Sequence, residues 1–579
     1  MMRPLLAVAA AAAFFLAGSP ALADRDKDDD QSHRGRVKFE LVETTIPEIR
    51  SALKARVITA ERLTRMYLKR IDAYEEAGPA INAYLLVNDN AVRDARRLDA
   101  LRPSVLMGRG HSRMPLFGVP VLLKDNIDTA DMPTTAGSVA LNGSLPPDDA
   151  FITRKLRAAG AIILGKGTLT EYANFIAVGM PTGYSSLGGF GFNPYDPRVD
   201  PRTEAPFNDG RPVLQTGGSS SGPGIGVNSN LVAVAIGTET SGSILSPASA
   251  NGVVGIKPTV GLVSRDGIIP ITAAQDTAGP ITRTVTDAAI VLGVIAGYDP
   301  NDPATDACLT PGNCFENYTR FLNRKALRGA RLAVPPFPEN RRALMEAAIA
   351  VMRAQGAHVE LIETYDARIG IPQLGTCIER PLPTDLTCST VLLYGFKHDL
   401  NAYLAVTQAA PSRNLGEIIA FNNTFDPPLK YGQAIAIGAE ALDVSAGSAD
   451  TARYLADRAE DLRRSKLALD GVFNGPDGVA GTDDDFDAVI HLGNANANVP
   501  AKAGYPSVAV PGGFNALSTL TPADPPIGVP FPSDVTFSGP AFSEPRLIAL
   551  AYAYEQATRH RVPPASTPPL PSGTVRARR

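Results

Sequence analysis

The sequence predicts an α/β fold built on a large, parallel or mixed β-sheet. Short apolar stretches of strand length recur along the chain, at 119–123, 161–165 and 231–236. Around them lie segments whose apolar residues recur at helical spacing, and 59–74 and 284–297 are the clearest of these. Apolar strands that alternate with amphipathic helices are typical of α/β proteins.

The first two helices are predicted by their capping residues. Thr45 and Glu48 have the spacing of a capping box, in which each side chain bonds the backbone N–H of the other residue. A second helix is predicted to begin near Thr59, with one buried face. The apolar residues of that face are Leu63, Met66, Tyr67, Ile71 and Tyr74.

The strand at 119–123 ends directly at Lys124. An ammonium group at the end of a buried strand must either find partners or lose its proton. Further along, a turn and helix are expected at 139–161, helices at 339–355 and 448–473, and a late strand at 505–513. We expect one domain from 39 to 561, with excursions at about 183–215, 299–330 and 474–487.

The amino terminus has the features of a secretory signal. One arginine precedes the apolar run Leu5–Gly18, and Ala21-Leu22-Ala23 supplies the small residues of a cleavage site. We predict a signal peptide over 1–23, cleaved after Ala23, and therefore an exported protein without a membrane anchor. A polar spacer over 24–38 and a Pro-rich tail over 562–579 are both expected to be disordered.

Composition limits the class of partner. The 579 residues are 44% hydrophobic and 20% charged, with a net charge of −4 and no basic block. These values are ordinary for a globular enzyme, and they give no indication of binding to nucleic acid or anionic lipid.

Export would place the four cysteines in an oxidising compartment, where disulfides form. We prefer the pairs Cys308–Cys314 and Cys377–Cys388, although four cysteines allow three connectivities. A zinc site is disfavoured because no CxxC or clustered histidine accompanies them.

The acidic loop at 477–487 is a weak candidate for calcium binding through Asp477, Asp483 and Asp485. Its spacing does not match an EF-hand, so a solvated turn is the better interpretation and no metal is expected.

Two turns rich in glycine and serine, GGSSSG at 217–222 and GTETSGS at 237–243, enclose a short apolar run. Glycines allow close approach of the backbone to a ligand, and serines supply hydroxyl groups. Taken alone, 218–222 matches GxSxG, which would make Ser220 a nucleophile with a histidine base. The candidate bases are His358, His398, His491 and His560. The other interpretation uses both turns together with Lys124.

Four stretches resemble the amidase signature family, and within it most closely the bacterial peptide amidases and their relatives. They are 119–137, 217–222, 237–244 and 252–289. The likeness is dense from about 40 to 300, with a signature core at about 115–300, and returns at 503–507. It implies a large twisted mixed sheet with helices on both faces, and an amidase that uses no cofactor.

The resemblance also implies a Ser-Ser-Lys triad. Ser243 would be the nucleophile, Ser219 a bridging serine that follows a cis peptide from Gly218, and Lys124 the base. Ser219 and Ser243 are 24 positions apart, which is the family's interval, and Ser220 would support this arrangement. The oxyanion donors would be the backbone N–H groups of Thr240, Ser241, Gly242 and Ser243.

Two departures from the family concern the substrate. Ser241 stands where many members have glycine, and Leu245 where many have arginine. The second difference favours a neutral amide over a substrate with a free carboxylate. We therefore expect an exported amidase that acts on a small-molecule or peptide amide. A serine esterase that uses Ser220, and a non-catalytic binding protein on the same scaffold, are the alternatives.

Overall fold

The computed structural model describes residues 36–107, 114–363, 390–407, 409–515 and 530–578. The expected signal peptide at 1–23 and positions 24–35 of the expected spacer lie outside the described residues. Strand β1 already includes 36–38, so the folded part begins slightly earlier than the expected boundary at 39.

The strands of the described residues are β1 (Arg36–Glu40), β2 (Tyr84–Val87), β3 (Pro120–Lys124), β4 (Ile162–Gly167), β5 (Tyr184–Ser185), β6 (Gly189–Phe190), β7 (Val234–Glu239), β8 (Val254–Lys257), β9 (Thr277–Thr282), β10 (Arg331–Val334), β11 (His358–Leu361), β12 (Ala488–Leu492), β13 (Ser507–Asn515), β14 (Phe531–Ser538) and β15 (Thr574–Arg578). Eleven of the strands in this part of the chain form one sheet, in the order β11-β10-β12-β14-β13-β8-β9-β7-β3-β4-β2.

The α-helices of the same residues are α1 (Ile46–Lys54), α2 (Ala60–Tyr74), α3 (Ala91–Met107), α4 (Phe151–Ala158), α5 (Ser221–Asn228), α6 (Leu245–Asn251), α7 (Val285–Ile295), α8 (Arg342–Ala354), α9 (Thr390–Val406), α10 (Leu415–Thr424), α11 (Ala434–Glu440), α12 (Ala449–Phe473), α13 (Asn498–Ala503) and α14 (Glu544–Thr558). The predicted caps are confirmed: Thr45 and Glu48 form a capping box, and Thr59 caps α2.

The expected α/β class with a large mixed sheet flanked by helices is confirmed. Strand β3 runs parallel to both β4 and β7, whereas β9 runs antiparallel to β7 and β8. Because β3 and β7 are parallel neighbours, their carboxyl ends meet at the same edge of the sheet. Lys124, the last residue of β3, therefore lies beside the end of β7.

Helix α5 explains why the first glycine-serine turn is not a flexible linker. All eight of its residues are buried, including Gly222, Gly224 and Gly226. At Gly222, an added Cβ would stand 2.3 Å from the carbonyl oxygen of Ala83 and 2.4 Å from the backbone nitrogen of Thr168. Glycine is needed there because the helix packs directly against neighbouring backbone.

The expectation of a disordered tail over 562–579 is wrong for the described part of that segment. Strand β15 pairs antiparallel with β1, so the first and last strands of the described residues form a small separate sheet. The buried Arg70 guanidinium donates to the carbonyl oxygens of Thr567 and Pro568, each at 2.9 Å. Prolines lack N–H donors but keep their carbonyl acceptors, so a Pro-rich segment can be held by donors from elsewhere in the chain.

Cys308 and Cys314 form the expected disulfide, with their Cα atoms 5.1 Å apart, within the excursion at 299–330. Cys377 and Cys388 lie outside the described residues. The excursion at 183–215 contains the short β5–β6 pair, and that at 474–487 connects α12 to β12. None of the helices in the described segments is both long enough and apolar enough to cross a bilayer.

The described residues, which include the acidic loop, contain no group of three or more His, Cys, Asp or Glu side chains that could hold a metal. Asp477 accepts the N–H of Val479 at 2.8 Å, and Asp485 accepts the N–H of Gly481 at 2.7 Å. The calcium candidate Asp477, Asp483 and Asp485 forms no such group, and the carboxylates of Asp477 and Asp485 are used by the loop's own backbone.

Candidate active site

Lys124 is completely buried at the carboxyl end of β3. Its Nζ lies 2.8 Å from Ser219 Oγ and 2.8 Å from Thr238 Oγ1. Burial lowers the pKa of Lys124 from 10.5 to about 7, and the negative charges of Asp276 and Glu239 limit this decrease. A substantial fraction of the lysine is therefore neutral near pH 7 and can accept a proton from the serine it touches.

Ser219 is held by the backbone around it. Its peptide bond with Gly218 is cis, as the family resemblance implies, and its carbonyl oxygen accepts the N–H of Thr170 at 3.0 Å. Gly217 has φ +65, and an added Cβ there would stand 2.5 Å from the carbonyl oxygen of Ser246. The glycines of this turn thus allow a fixed, close approach between two backbone segments.

Ser243 lies in the second turn, between β7 and α6, and 8% of its surface is exposed. Its carbonyl oxygen accepts the N–H of Ser220 at 3.2 Å. This backbone bond joins the two glycine-serine turns that the sequence predicts to act together. The structure therefore brings the turn of Ser219 and the turn of Ser243 into contact beside Lys124.

The Glu239 carboxylate folds the second turn. It accepts the N–H groups of Gly242 and Ile244, both at 2.7 Å, and of Leu245 at 3.1 Å. The Gly242 N–H is therefore already used within the protein, which corrects its assignment as an oxyanion donor. The N–H groups of Thr240, Ser241 and Ser243 make no hydrogen bond with another part of the described chain, so they are the donors left for a ligand.

Ser220 has a structural role in this geometry. Its hydroxyl donates to the Thr238 carbonyl oxygen at 3.1 Å and accepts the Thr238 N–H at 3.2 Å. Its hydrogen-bonding capacity is thus directed at the backbone of β7. Of the candidate bases, His358 begins edge strand β11, seven strands from β7 in the sheet order and about 30 Å away at the usual strand spacing.

Lys166 and Lys257 are also buried, but their partners differ from those of Lys124. Lys166 lies 3.4 Å from the Asp125 carboxylate and donates to Thr134 Oγ1 at 2.7 Å. Lys257 donates to the Tyr505 carbonyl oxygen at 2.6 Å, and burial lowers its pKa to about 8. Within the described residues, Lys124 is the buried lysine that contacts a serine hydroxyl of the glycine-serine turns.

Thr238, Asn126 and Asp276 are site residues that sequence reasoning missed. Thr238 Oγ1 accepts from Lys124 and, at 3.1 Å, from Asn126 Nδ2. The Asp276 carboxylate accepts the hydroxyl of Thr240, and burial raises the pKa of Asp276 to about 6. Thr238 lies five positions before Ser243, within the glycine-serine turn at 237–243. Asp276 lies in a separate segment, and only the pairing of β9 with β7 shows that it is close to the site.

A cavity of about 510 Å³ borders the first turn at Gly217 and helix α6 at Ser246. Asn494 also lines the cavity, and its Nδ2 would stand 3.2 Å from a Cβ added to Gly242 of the second turn. Several residues between 200 and 215, in the excursion at 183–215, also line it. The volume is in the range of small-molecule sites, and the excursion therefore helps to form a cavity next to the first turn.

Comparison with known proteins shows which family this chain belongs to. Residues 62–375 match the family model described as Amidase. A probable amidase from Arabidopsis thaliana is 37% identical over 534 residues, covering 91% of this chain and 92% of that protein.

Solved structures agree over most of the chain. The peptide amidase from Stenotrophomonas maltophilia is 37% identical with a TM-score of 0.74, over 91% of this chain and 99% of that chain. An amidase family protein from Bacillus anthracis is 31% identical with a TM-score of 0.75, over 90% and 92% of the two chains. This chain therefore belongs to the amidase signature family and is an amidase.

Proposed function

We propose that this amidase is exported and hydrolyses a neutral carboxamide, foremost the C-terminal amide of a peptide, through an acyl-Ser243 intermediate. One observation carries the proposal: a fully buried lysine with a pKa near 7 lies 2.8 Å from Ser219 Oγ, in the turn bonded to that of Ser243. A base that is neutral at physiological pH and touches a serine is what proton removal from a serine relay requires.

The proton path runs through two serines. Neutral Lys124 takes the proton of the Ser219 hydroxyl, and Ser219 takes that of Ser243 as Ser243 Oγ attacks the amide carbonyl carbon. The carbonyl oxygen becomes an oxyanion, which the free N–H groups of the 240–243 turn stabilise. When the C–N bond breaks, the proton returns along the same path to the leaving ammonia. A water molecule then attacks the ester in the same way, and this releases the carboxylic acid and Ser243.

The substrate class follows from the relatives and from the site. A peptide amidase shares 37% of its residues with this chain over 99% of its own length. Leu245, where many family members carry arginine, is buried at the start of α6. The site therefore has no positively charged side chain at this position to bind a free carboxylate of a substrate. A neutral amide fits it better than a substrate with such a carboxylate.

Export is supported by the sequence features at 1–23 and by the Cys308–Cys314 disulfide, since disulfides persist in oxidising compartments. Its test is the mass of the mature protein recovered from the periplasm or medium. Cleavage after Ala23 is the expected result, and an intact amino terminus in the cytoplasm would contradict it.

Paired alanine variants separate the triad from the esterase alternative. With a C-terminally amidated peptide as substrate and ammonia release as readout, Ser243→Ala should lose activity by several orders of magnitude. Ser220→Ala should keep measurable activity, reduced because its bonds to Thr238 are lost. Full activity in the Ser243→Ala protein, or complete loss only in Ser220→Ala, would reject the proposed nucleophile.

A further inference from the structure

Gln275 lies beside the catalytic turn because of the strand register. Thr277, the first residue of β9, pairs with Glu239, the last residue of β7, and the two strands are antiparallel. Residues just before Thr277 therefore face residues just after Glu239. Gln275 is 4% exposed, and its Nε2 donates to the carbonyl oxygen of Thr240 at 3.2 Å.

The segment that carries Gln275 is itself held in place. The Asp276 carboxylate accepts the N–H groups of Ile271 at 2.8 Å and Thr272 at 2.9 Å. Its other oxygen accepts the hydroxyl of Thr240. Thr240 is thus bonded at its side chain by Asp276 and at its carbonyl by Gln275, which leaves little freedom for the backbone between them.

The Thr240 carbonyl and the Ser241 N–H belong to one planar trans peptide and point in opposite directions. A donor bound to the oxygen on one side therefore fixes the direction of the N–H on the other. Ser241 is exposed, and its N–H makes no hydrogen bond with another part of the described chain. A donor at the carbonyl also polarises the peptide, which strengthens the N–H as a donor.

We propose that Gln275 is a positioning residue, which orients and polarises the Thr240–Ser241 peptide so that the Ser241 N–H stabilises the oxyanion. This inference rests on the proposed function, because it requires an oxyanion formed at Ser243. Gln275 acts only through the peptide and touches no reacting atom. Removing an oxyanion donor outright costs about 10²- to 10³-fold in kcat, so misaligning one that is still present should cost about tenfold.

The test compares Gln275→Leu with Gln433→Leu. Gln433 is also buried, and its Nε2 donates to the Ile419 carbonyl oxygen at the same 3.2 Å, in the helical region at 415–440. Gln433 also bonds the side chains of Asn422 and Asn423, so it is a stringent control for the loss of a buried, hydrogen-bonded glutamine. The readouts are kcat and KM for a peptide amide, and inhibition by a peptide aldehyde and by the matching peptide alcohol.

The aldehyde forms a tetrahedral adduct with the nucleophile and places its oxygen where the oxyanion develops, whereas the alcohol binds without reacting. For Gln275→Leu we expect kcat and aldehyde affinity to fall about tenfold, with KM and alcohol affinity within about twofold of the wild type. Gln433→Leu should leave the ratio of aldehyde affinity to alcohol affinity unchanged. An unchanged ratio in Gln275→Leu, or a parallel loss of alcohol binding, would overturn the inference.

Gln275→Glu keeps the inference testable if the leucine variant does not fold. A protonated carboxyl can still donate to the Thr240 carbonyl oxygen, whereas a carboxylate repels it. The kcat of this variant relative to the wild type should therefore fall as pH rises, and a pH-independent ratio would contradict positioning. If Ser243→Ala is inactive while both Gln275 variants match the wild type, only this inference fails. Activity in Ser243→Ala would instead reject the proposed function.

Discussion

Lowering the pH from 8 to 6 should remove most of the acylation rate by protonating Lys124. With a pKa of about 7, set by burial and opposed by the charges of Asp276 and Glu239, the neutral fraction is about 0.9 at pH 8 and about 0.1 at pH 6. The value of kcat/KM should therefore fall about tenfold across this range. The assay is ammonia release from a peptide amide between pH 5.5 and 9 at constant ionic strength.

The same contacts predict how the acid limb of the pH profile, which is the fall of kcat/KM toward low pH, moves in a variant. The Asp276 carboxylate raises the pKa of Lys124, so Asp276→Asn should shift the limb to lower pH. Asp483→Asn, the same change in the exposed 477–487 loop, should leave the limb in place. A flat profile between pH 6 and 8, or a limb that moves to higher pH in Asp276→Asn, would refute the assignment of Lys124 as the base.

Three further changes test the surroundings of the site. Thr238→Val removes a hydrogen-bond partner of Lys124 Nζ, so kcat should fall about tenfold while KM stays constant in steady-state assays. Lys124→Met should be inactive but folded. Because burial lowers the pKa of Lys124 from 10.5 to about 7, the free energy of unfolding of the wild type rises with pH between these two values. The variant buries no charge, so its gain in unfolding free energy over the wild type, measured by denaturant unfolding, should be largest below pH 7. This gain should shrink by up to about 5 kcal/mol as the pH rises to 10.5. Arg70→Met removes the guanidinium that bonds the carbonyl oxygens of Thr567 and Pro568, which should cost about 3 kcal/mol of unfolding free energy and expose the tail to proteolysis, whereas the exposed Arg65→Met should change neither.

Much of the site could be predicted from the sequence because its residues lie in contiguous motifs. The apolar run before Lys124 predicts both the strand and the burial of the lysine. The two glycine-serine turns predict a close backbone approach, and the structure shows this directly at Gly217. Local pattern was sufficient wherever one segment of chain determines its own conformation.

The parts that were missed depend on contacts between distant segments. Gln275 and Asp276 reach Thr240 only through the register of β9 against β7, which no local pattern encodes. The use of the Gly242 N–H by Glu239 depends on the path of the turn rather than on residue type. The tail is ordered because Arg70, almost 500 positions away, donates to its carbonyls; composition alone gave no indication of that donor.

The identity of the nucleophile is the central claim, and a fluorophosphonate probe tests it most directly. The probe forms a stable bond with an activated serine, and peptide mapping by mass spectrometry then locates that residue. We predict a single label on Ser243, lost in Ser243→Ala and strongly slowed in Lys124→Met. A label on Ser220, or no label on a protein that still releases ammonia from a peptide amide, would contradict the proposed relay.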